Sequence, residues 1–435
     1  MGIWTQASGI AATTPADRNR YVDFLRAVSI LFVISGHWLI TGAFFDVKTN
    51  TFTPVLALEV LPWTVWLTWL FQVMPVFFVV GGYANAVSLE GARDKGAGYA
   101  EWLTGRLHRL LTPLLLLVLV WAGISFAMYM LGASPELISY ISRTALVPTW
   151  FLAIYTMIVL LAPVTYALWR RWGFASLLAY VLLTVLADIA FFQFQWKAPG
   201  WSNYLWVWLA MHHLGFAWRD GRLGNPLFLV VFSLGSLLLL MALIFQGPYP
   251  IAMAGSPGDG VSNTLPPKVT LIALGLFQFG ILLAIEKPMQ RWLSGLRAWT
   301  CTVVINSMIM TIYLWHMTLL LLLLGVSRLS GGIGLTMQPG TAEWWWTRPV
   351  WMAVLSILLI PVALALSPLE RTARAKDAPA LSAWRLVVGA MMAGLGITLT
   401  ALLGLTGDPF SVANTGIVAL VLGGAWVCGL SVRLS

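Results

Sequence analysis

Charged residues are what this sequence has least of: they make up 9% of its 435 residues, whereas a soluble globular domain carries about a quarter. A water-facing surface cannot be covered with so few, which excludes an ordinary soluble fold. Cysteine is scarce as well. Cys301 and Cys428 both lie in apolar runs without metal or redox spacing, so a disulfide framework is excluded and neither thiol reads as a nucleophile. The four histidines at membrane depth, His37, His212, His213 and His316, show no spacing of a zinc or iron site and have no carboxylates at that depth, so neither a metal nor a bound cofactor is expected. No internal repeat relates the two halves, which weighs against a transporter built from duplicated bundles. The one excess of charge, a formal +9, would suggest nucleic acid in a soluble protein. In a chain this apolar, basic residues mark the loops that orient it, and nucleic acid is not expected as a partner.

What is there is hydrocarbon. Hydrophobic residues reach 59% and the mean hydropathy is +0.84. Apolar runs bounded by Pro, Gly and charge predict twelve spans, at roughly 22–43, 62–88, 110–131, 149–169, 173–194, 204–218, 227–246, 269–286, 300–326, 350–367, 386–406 and 412–431. The fold class is therefore all-α, a polytopic membrane helical bundle with the lipid bilayer as its solvent. Residues 1–20 are polar and precede the first apolar run, so they read as a cytoplasmic tail and not as a cleavable signal. With that end inside, 19 of the 25 Lys and Arg fall on the cytoplasmic side and six on the other, which places both termini in the cytoplasm of a multi-pass protein of the cell membrane. A charged stretch at 368–385 separates a ten-helix unit, 21–367, from two further helices in 386–435. Trp344, Trp345 and Trp346 sit in a long outer loop, as an interfacial belt or as a platform on which sugar rings stack.

An ionisable group at membrane depth costs several kcal/mol and is a functional candidate by default. The first span, YVDFLRAVSILFVISGHWLI, holds Asp23, Arg26 and His37. At 100° per residue Arg26 and His37 differ by about 20° and Asp23 lies about 40° from His37, so the three share one stripe, with Arg26 and His37 about 16 Å apart along the axis. Asp23 and Arg26 are placed to pair. The bland alternative, in which Arg26 snorkels and His37 bonds a neighbouring helix, leaves the shared stripe unexplained. The ninth span holds Tyr313 and His316 on one face, with His316 about 24 Å from the cytoplasmic end and so near His37 in depth. His212 and His213 lie mid-membrane in the sixth, about 100° apart, so at most one faces the same space. Arg106, His108 and Arg109 sit at the cytoplasmic boundary before Pro113, suited to anchoring or to gripping phosphates. Asp188 and Glu286 lack an evident partner and read as structural.

These stretches resemble the acyltransferase type 3 family of integral membrane enzymes. Its first helix carries Asp, then Leu-Arg, then His with ten residues between Arg and His; Asp23, Leu25, Arg26 and His37 match that spacing. FFVVGGY (Phe77 to Tyr83), the Arg-rich run from Arg106 to Pro113, TWFLAIY (Thr149 to Tyr155) and MTIYLWH (Met310 to His316) match further motifs, in order, over about 350 residues. Gly81 departs from the Ser of many relatives. The resemblance implies a ten-helix acyltransferase core and transfer of an acyl group, acetyl being the simplest case, from a cytoplasmic thioester such as acyl-CoA to a hydroxyl of a glycan, glycolipid or small molecule. The hydrolase-like domain that some relatives carry outside the membrane is missing, so the chain either finishes the transfer itself or hands acyl groups to a partner protein.

On that basis His37 is the expected base, because a neutral imidazole can take the proton of an acceptor hydroxyl. Asp23 belongs with it on the stripe. Tyr313 and His316 would stabilise the oxyanion or orient the acceptor, and Arg26, Arg106 and Arg109 would hold the donor's phosphates. A transporter or flippase without acyl-transfer chemistry is the alternative that the twelve spans also allow, and an assembly subunit would leave the buried His and Arg without purpose.

Overall fold

The computed structural model describes residues 3–15, 17–255, 260–370, 381–405, 408 and 410–430. The helices that matter below are α1 Arg20–Ile40, α2 Met74–Asp94, α3 Tyr99–Met130, α4 Pro135–Leu146, α5 Thr149–Trp172, α6 Phe174–Gln193, α7 Asn203–Arg219, α8 Pro226–Gln246, α9 Val269–Ala284, α10 Leu296–Ser307, α11 Ile309–Leu329, α12 Ala342–Glu370, α13 Ala383–Leu403 and α14 Val412–Val427. Among the described residues nine helices are long and apolar enough to cross a bilayer, and a tenth if α9 and the following Glu286–Leu293, bent by 57°, count as one span. The other two expected spans are the 17-residue α7, buried along most of its length, and the shorter apolar α14.

Local chemistry sets the boundaries. Asn19 starts α1 by accepting from the Tyr21 and Val22 amides, and Asn225 followed by Pro226 starts α8 in the same manner. Gly173, at φ 53°, supplies the left-handed turn between α5 and α6. α2 and α7 approach at Gly82 and Gly215, where a Cβ on either residue would run into the other helix's backbone.

Three features depart from the sequence reading. The expected 300–326 span is two helices, α10 and α11, broken at Met308 (φ −127°, ψ 14°), so α10 packs separately against α1. The tail contains a helix, Ile3–Ala12, that buries Ala7 and Ala11 against α10, and the Trp299 indole donates to Thr14. After Ile40 the chain forms a hairpin of β1 Thr41–Asp46 and β2 Thr51–Leu56, antiparallel with Thr41 opposite Leu56. Most of the expected 368–385 linker, with Arg371, Arg374 and Lys376, lies outside the described residues, as does Arg433.

At the hairpin end of the bundle, Asp188 at the close of α6 ties a loop down. It accepts from Asn203 at 2.8 Å, from the Tyr249 hydroxyl at 3.1 Å and from the Val269 amide at 2.9 Å. Lys268 is buried beside it over the Phe191 ring. Burial pushes the Lys268 pKa below its ordinary value, and Asp188 opposes that shift. Both acids singled out as structural have partners, since Glu286 accepts from Asn19 and from the Trp218 indole.

The Gly82 and Gly215 contact gives a direct check on packing. Gly82→Ala should destabilise the purified protein by about 1–3 kcal/mol or more, the usual cost of forcing atoms into a packed contact. Gly123→Ala, whose new Cβ would meet nothing within 4 Å, should leave the thermal unfolding midpoint unchanged or raise it slightly.

Candidate active site

The histidines at opposite ends of the sequence meet. His37 Nδ1 lies 2.8 Å from His316 Nε2, with the two rings nearly parallel and their centroids 5.1 Å apart. His316 is fully buried, and its Nδ1 lies 2.5 Å from the Tyr313 carbonyl oxygen. That contact decides the proton positions. A carbonyl only accepts, so His316 Nδ1 carries a hydrogen, and in the neutral ring its Nε2 is then a lone pair. His37 Nδ1 must donate to that lone pair, which leaves the lone pair of His37 on Nε2. Among the described residues this atom takes no hydrogen bond, and it is not sealed from its surroundings. Two further contacts steady the pair: the Trp38 indole donates to the His316 carbonyl at 3.1 Å, and the Tyr313 hydroxyl donates to the Pro148 carbonyl at 2.7 Å. With its hydrogen so engaged, Tyr313 forms part of the wall and has none left for an oxyanion in this conformation.

His37 lines a cavity of about 780 Å³ that runs toward the hairpin end of the bundle. Val33, Gly36 and Ile40 form its α1 side, with Thr68, Phe71 and Gln72 also in the lining and Trp150, Trp201 and Tyr204 offering aromatic faces. Among the described residues, Arg143 is the one formally charged side chain in the lining. Thr398, Ala401 and Leu402 of α13 close one wall. A second cavity of about 690 Å³, between α5, α7 and α13, shares Ile154, Trp201, Tyr204 and Thr398 with the first. Its hydroxyls are already used, with Ser202 donating to Pro199, Tyr204 to Thr264 and Thr398 to Gly394. What is left to meet an occupant is mostly hydrocarbon.

Arg26 and Asp23 form a separate cluster at the other end of α1. Arg26 donates to Asp23 at 2.9 Å and to Asn306 Oδ1 at 2.7 Å, Asn306 donates to the Asp23 carbonyl at 2.9 Å, and Arg18 pairs with Asp23 at 2.7 Å. Asp23, grouped with the base in the sequence reading, therefore sits with the arginines, about 21 Å along the helix from His37. Arg106 donates to the Ala84 carbonyl at 3.0 Å, lies over the Trp102 ring, and is within electrostatic range of Arg26, Arg109 and Tyr155. Arg109 is exposed. The His37 cavity reaches down α1 only to Val33, about 10 Å short of Arg26.

The remaining candidates stand aside. His212 faces Asn85 at 3.0 Å, His213 faces the Leu209 carbonyl at 3.0 Å, and neither lines the cavity. The Trp344 to Trp346 cluster does not line it either. Asn306, Trp38, Gln72 and Arg143 escaped the sequence reading; Asn306 and Gln72 carried a usable signal, each a carboxamide inside an apolar run.

The motifs now appear as one assembly, because Phe77 of α2 packs on Phe151 at 4.8 Å and Phe151 on Tyr313 at 5.8 Å. A profile described as an acyltransferase domain, of the acyltransferase type 3 family, matches residues 19–368. The chain belongs to that family. It is a multi-pass membrane acyltransferase that moves groups other than aminoacyl groups. α13 and α14 lie beyond the matched residues, yet α13 walls the His37 cavity. Comparison with curated proteins and with solved structures gives no match. At Gly81, a Cβ would come within 2.8 Å of the Tyr155 ring, so the Ser of many relatives would require that ring to move.

The proton assignment is measurable. Nitrogen-15 spectra of histidine-labelled protein should show both His37 and His316 protonated at Nδ1 and bare at Nε2; an Nε2-protonated His316 contradicts the relay.

Proposed function

We propose that this acyltransferase moves an acyl group from a cytoplasmic thioester donor, acyl-CoA, to a hydroxyl of a sugar-containing acceptor, with His37 as general base. The observation that carries the reading is the relay from the Tyr313 carbonyl through His316 to His37, which leaves one unprotonated imidazole nitrogen facing a cavity large enough for a substrate. His37 Nε2 takes the acceptor's hydroxyl proton as the oxygen attacks the thioester carbonyl. The resulting imidazolium is held by its Nδ1–H bond to the His316 lone pair, so His316 is a positioning residue. Collapse of the tetrahedral intermediate breaks the C–S bond, and the proton on Nε2 passes to the leaving thiolate.

Donor phosphates are assigned to Arg26 and Arg106, supported by Arg109, because guanidinium groups suit phosphate oxygens. The pantetheine arm then has to part the side chains between Arg26 and Val33, a gating step that excludes water from the thioester until a donor is seated. Trp150, Trp201 and Tyr204 support a sugar-containing acceptor entering from the hairpin end, with Arg143 favouring an anionic one. In this reading the chain finishes the transfer itself and does not hand the acyl group to a partner protein. The side cavity suits an acyl chain longer than acetyl. The reading places the chain in the cell membrane with both termini in the cytoplasm.

Incubating membranes with labelled acyl-CoA and identifying the labelled product by mass spectrometry tests the activity; no labelled ester with any donor length would reject it. His37→Ala should insert normally and lose transfer by about 10²–10⁴-fold, the usual worth of a positioned base. Arg26→Ala should raise the KM for acyl-CoA while leaving that for the acceptor unchanged. Wild-type rates from folded His37→Ala protein would refute the assignment. Gly394 lines the side cavity and a Cβ there would meet nothing within 4 Å, so Gly394→Trp should lower the ratio of long-chain to acetyl transfer at least about tenfold, or about 1.4 kcal/mol, if acyl chains lie there. Equal loss for both donors would remove that assignment.

A further inference from the structure

Arg348, near the start of α12, is 4% exposed and forms no hydrogen bond or ion pair among the described residues; its Nε is sealed without an acceptor. Other cations inside the fold each reach an acceptor; Arg106, whose Nε is also sealed without one, donates from Nη2 to the Ala84 carbonyl. Arg26 and Arg219 pair with carboxylates, and Lys268 donates to the Pro266 carbonyl with Asp188 in electrostatic range. Arg348 instead lies over the Trp344 ring, 4.2 Å from its centroid, and 5.8 Å from that of Trp351. Stacking on indoles offsets only part of the cost of taking a guanidinium out of water.

A second donor is stranded at the same place. Trp344 is 2% exposed and its indole N–H also lacks an acceptor, whereas the neighbouring Trp351 indole donates to the Gly334 carbonyl. Buried donors are almost always paired, so two unpaired ones in contact, one of them cationic, mark a missing acceptor that carries negative charge. Gly42 of β1 borders the guanidinium. A Cβ there would stand 3.3 Å from Arg348 Nη1 and 4.0 Å from Trp344 Cζ2, so the glycine leaves that side of the group uncovered.

We propose that Arg348 and Trp344 form an oxyanion site for a phosphate group. The planar guanidinium presents paired N–H donors to phosphate oxygens, and the indole N–H adds one more. Gly42 lies five residues beyond His37, so an anion held here would brace the strand that leaves the catalytic helix. Either a membrane lipid head group or a free phosphate group supplies this chemistry. Exposed Trp346 beside the site suits the head-group level of a bilayer. The proposal does not depend on the acyl-transfer reading.

The test is thermal unfolding of the full chain in neutral maltoside detergent at constant ionic strength. One arm adds inorganic phosphate and the other adds phosphatidylglycerol as mixed micelles. At least one should raise the wild-type midpoint by about 2 °C or more, as a ligand bound only by the folded state does. A rise with phosphate alone identifies a free anion; a rise with lipid identifies a head group. Arg348→Met should abolish the rise and, with neither ligand present, unfold at or above the wild-type temperature, because methionine leaves no unpaired charge behind. Gly42→Ala keeps the arginine but crowds Nη1, and should reduce the rise. The site is refuted if Arg348→Met fails to fold or unfolds below wild type without ligand, if neither ligand shifts the wild type, or if the shift survives in the methionine variant.

Discussion

The hydrogen bond between His37 and His316 is the contact on which the rest of the site depends. It joins α1 to α11, helices that lie almost 280 residues apart in the chain. It also converts a main-chain feature, the Tyr313 carbonyl, into a chemical instruction. A carbonyl fixes the tautomer of His316, His316 fixes that of His37, and the outcome is a lone pair at one atom of one ring. An aspartate could fix the same tautomer, but a carboxylate at this depth would bring a charge into a region that tolerates few. A second imidazole does the work while both rings stay neutral at rest. The surrounding aromatic layer of Phe77, Phe151 and Tyr313 draws in the helices that supply the remaining family motifs.

α1 divides the labour along its length. Its first two turns carry a charged knot, in which Asp23 and Asn306 hold Arg26 in place while Arg18 shares the carboxylate. Its last two turns carry the imidazole and border the cavity. The stretch between is apolar but for the buried Ser29, and it does not line the cavity. Under the proposed reading, such an arrangement keeps water and ions from crossing along a stripe of polar residues and reserves opening for the moment a donor supplies binding energy. The appended helix α13 extends the design beyond the family's own segment by closing a wall of the cavity with Thr398, Ala401 and Leu402.

Much of this was legible in the residues. Hydropathy alone located the apolar segments, because a bilayer admits few ways to satisfy a backbone. The 3.6-residue period put Arg26 and His37 on one face, and depth brought His316 near His37. Other features were not legible, for physical reasons. The break at Met308 leaves no proline or glycine to announce it, since the separate packing of α10 against α1 and the N-terminal helix imposes it. Asp23 was read as the partner of Arg26, which it is, and also as a companion of His37, because periodicity reports angle and not reach. Tyr313 was read as a donor to substrate because a sequence does not show that the Pro148 carbonyl lies 2.7 Å from its hydroxyl. Arg143 looked like one of a few outer charges, and only the folding of α4 toward the cavity gives it a place there.

If the two histidines act as one unit, their substitutions should not add. The most direct measurement is a double-mutant cycle on kcat for acyl transfer, using His37→Ala, His316→Ala and the double variant, each verified as folded. With His316 acting only through His37, removing it should cost rate in the wild-type background and nothing further once His37 is gone. A double variant slower than His37→Ala by the full factor lost in the single His316→Ala would show that His316 acts on the substrate independently, and would contradict the relay.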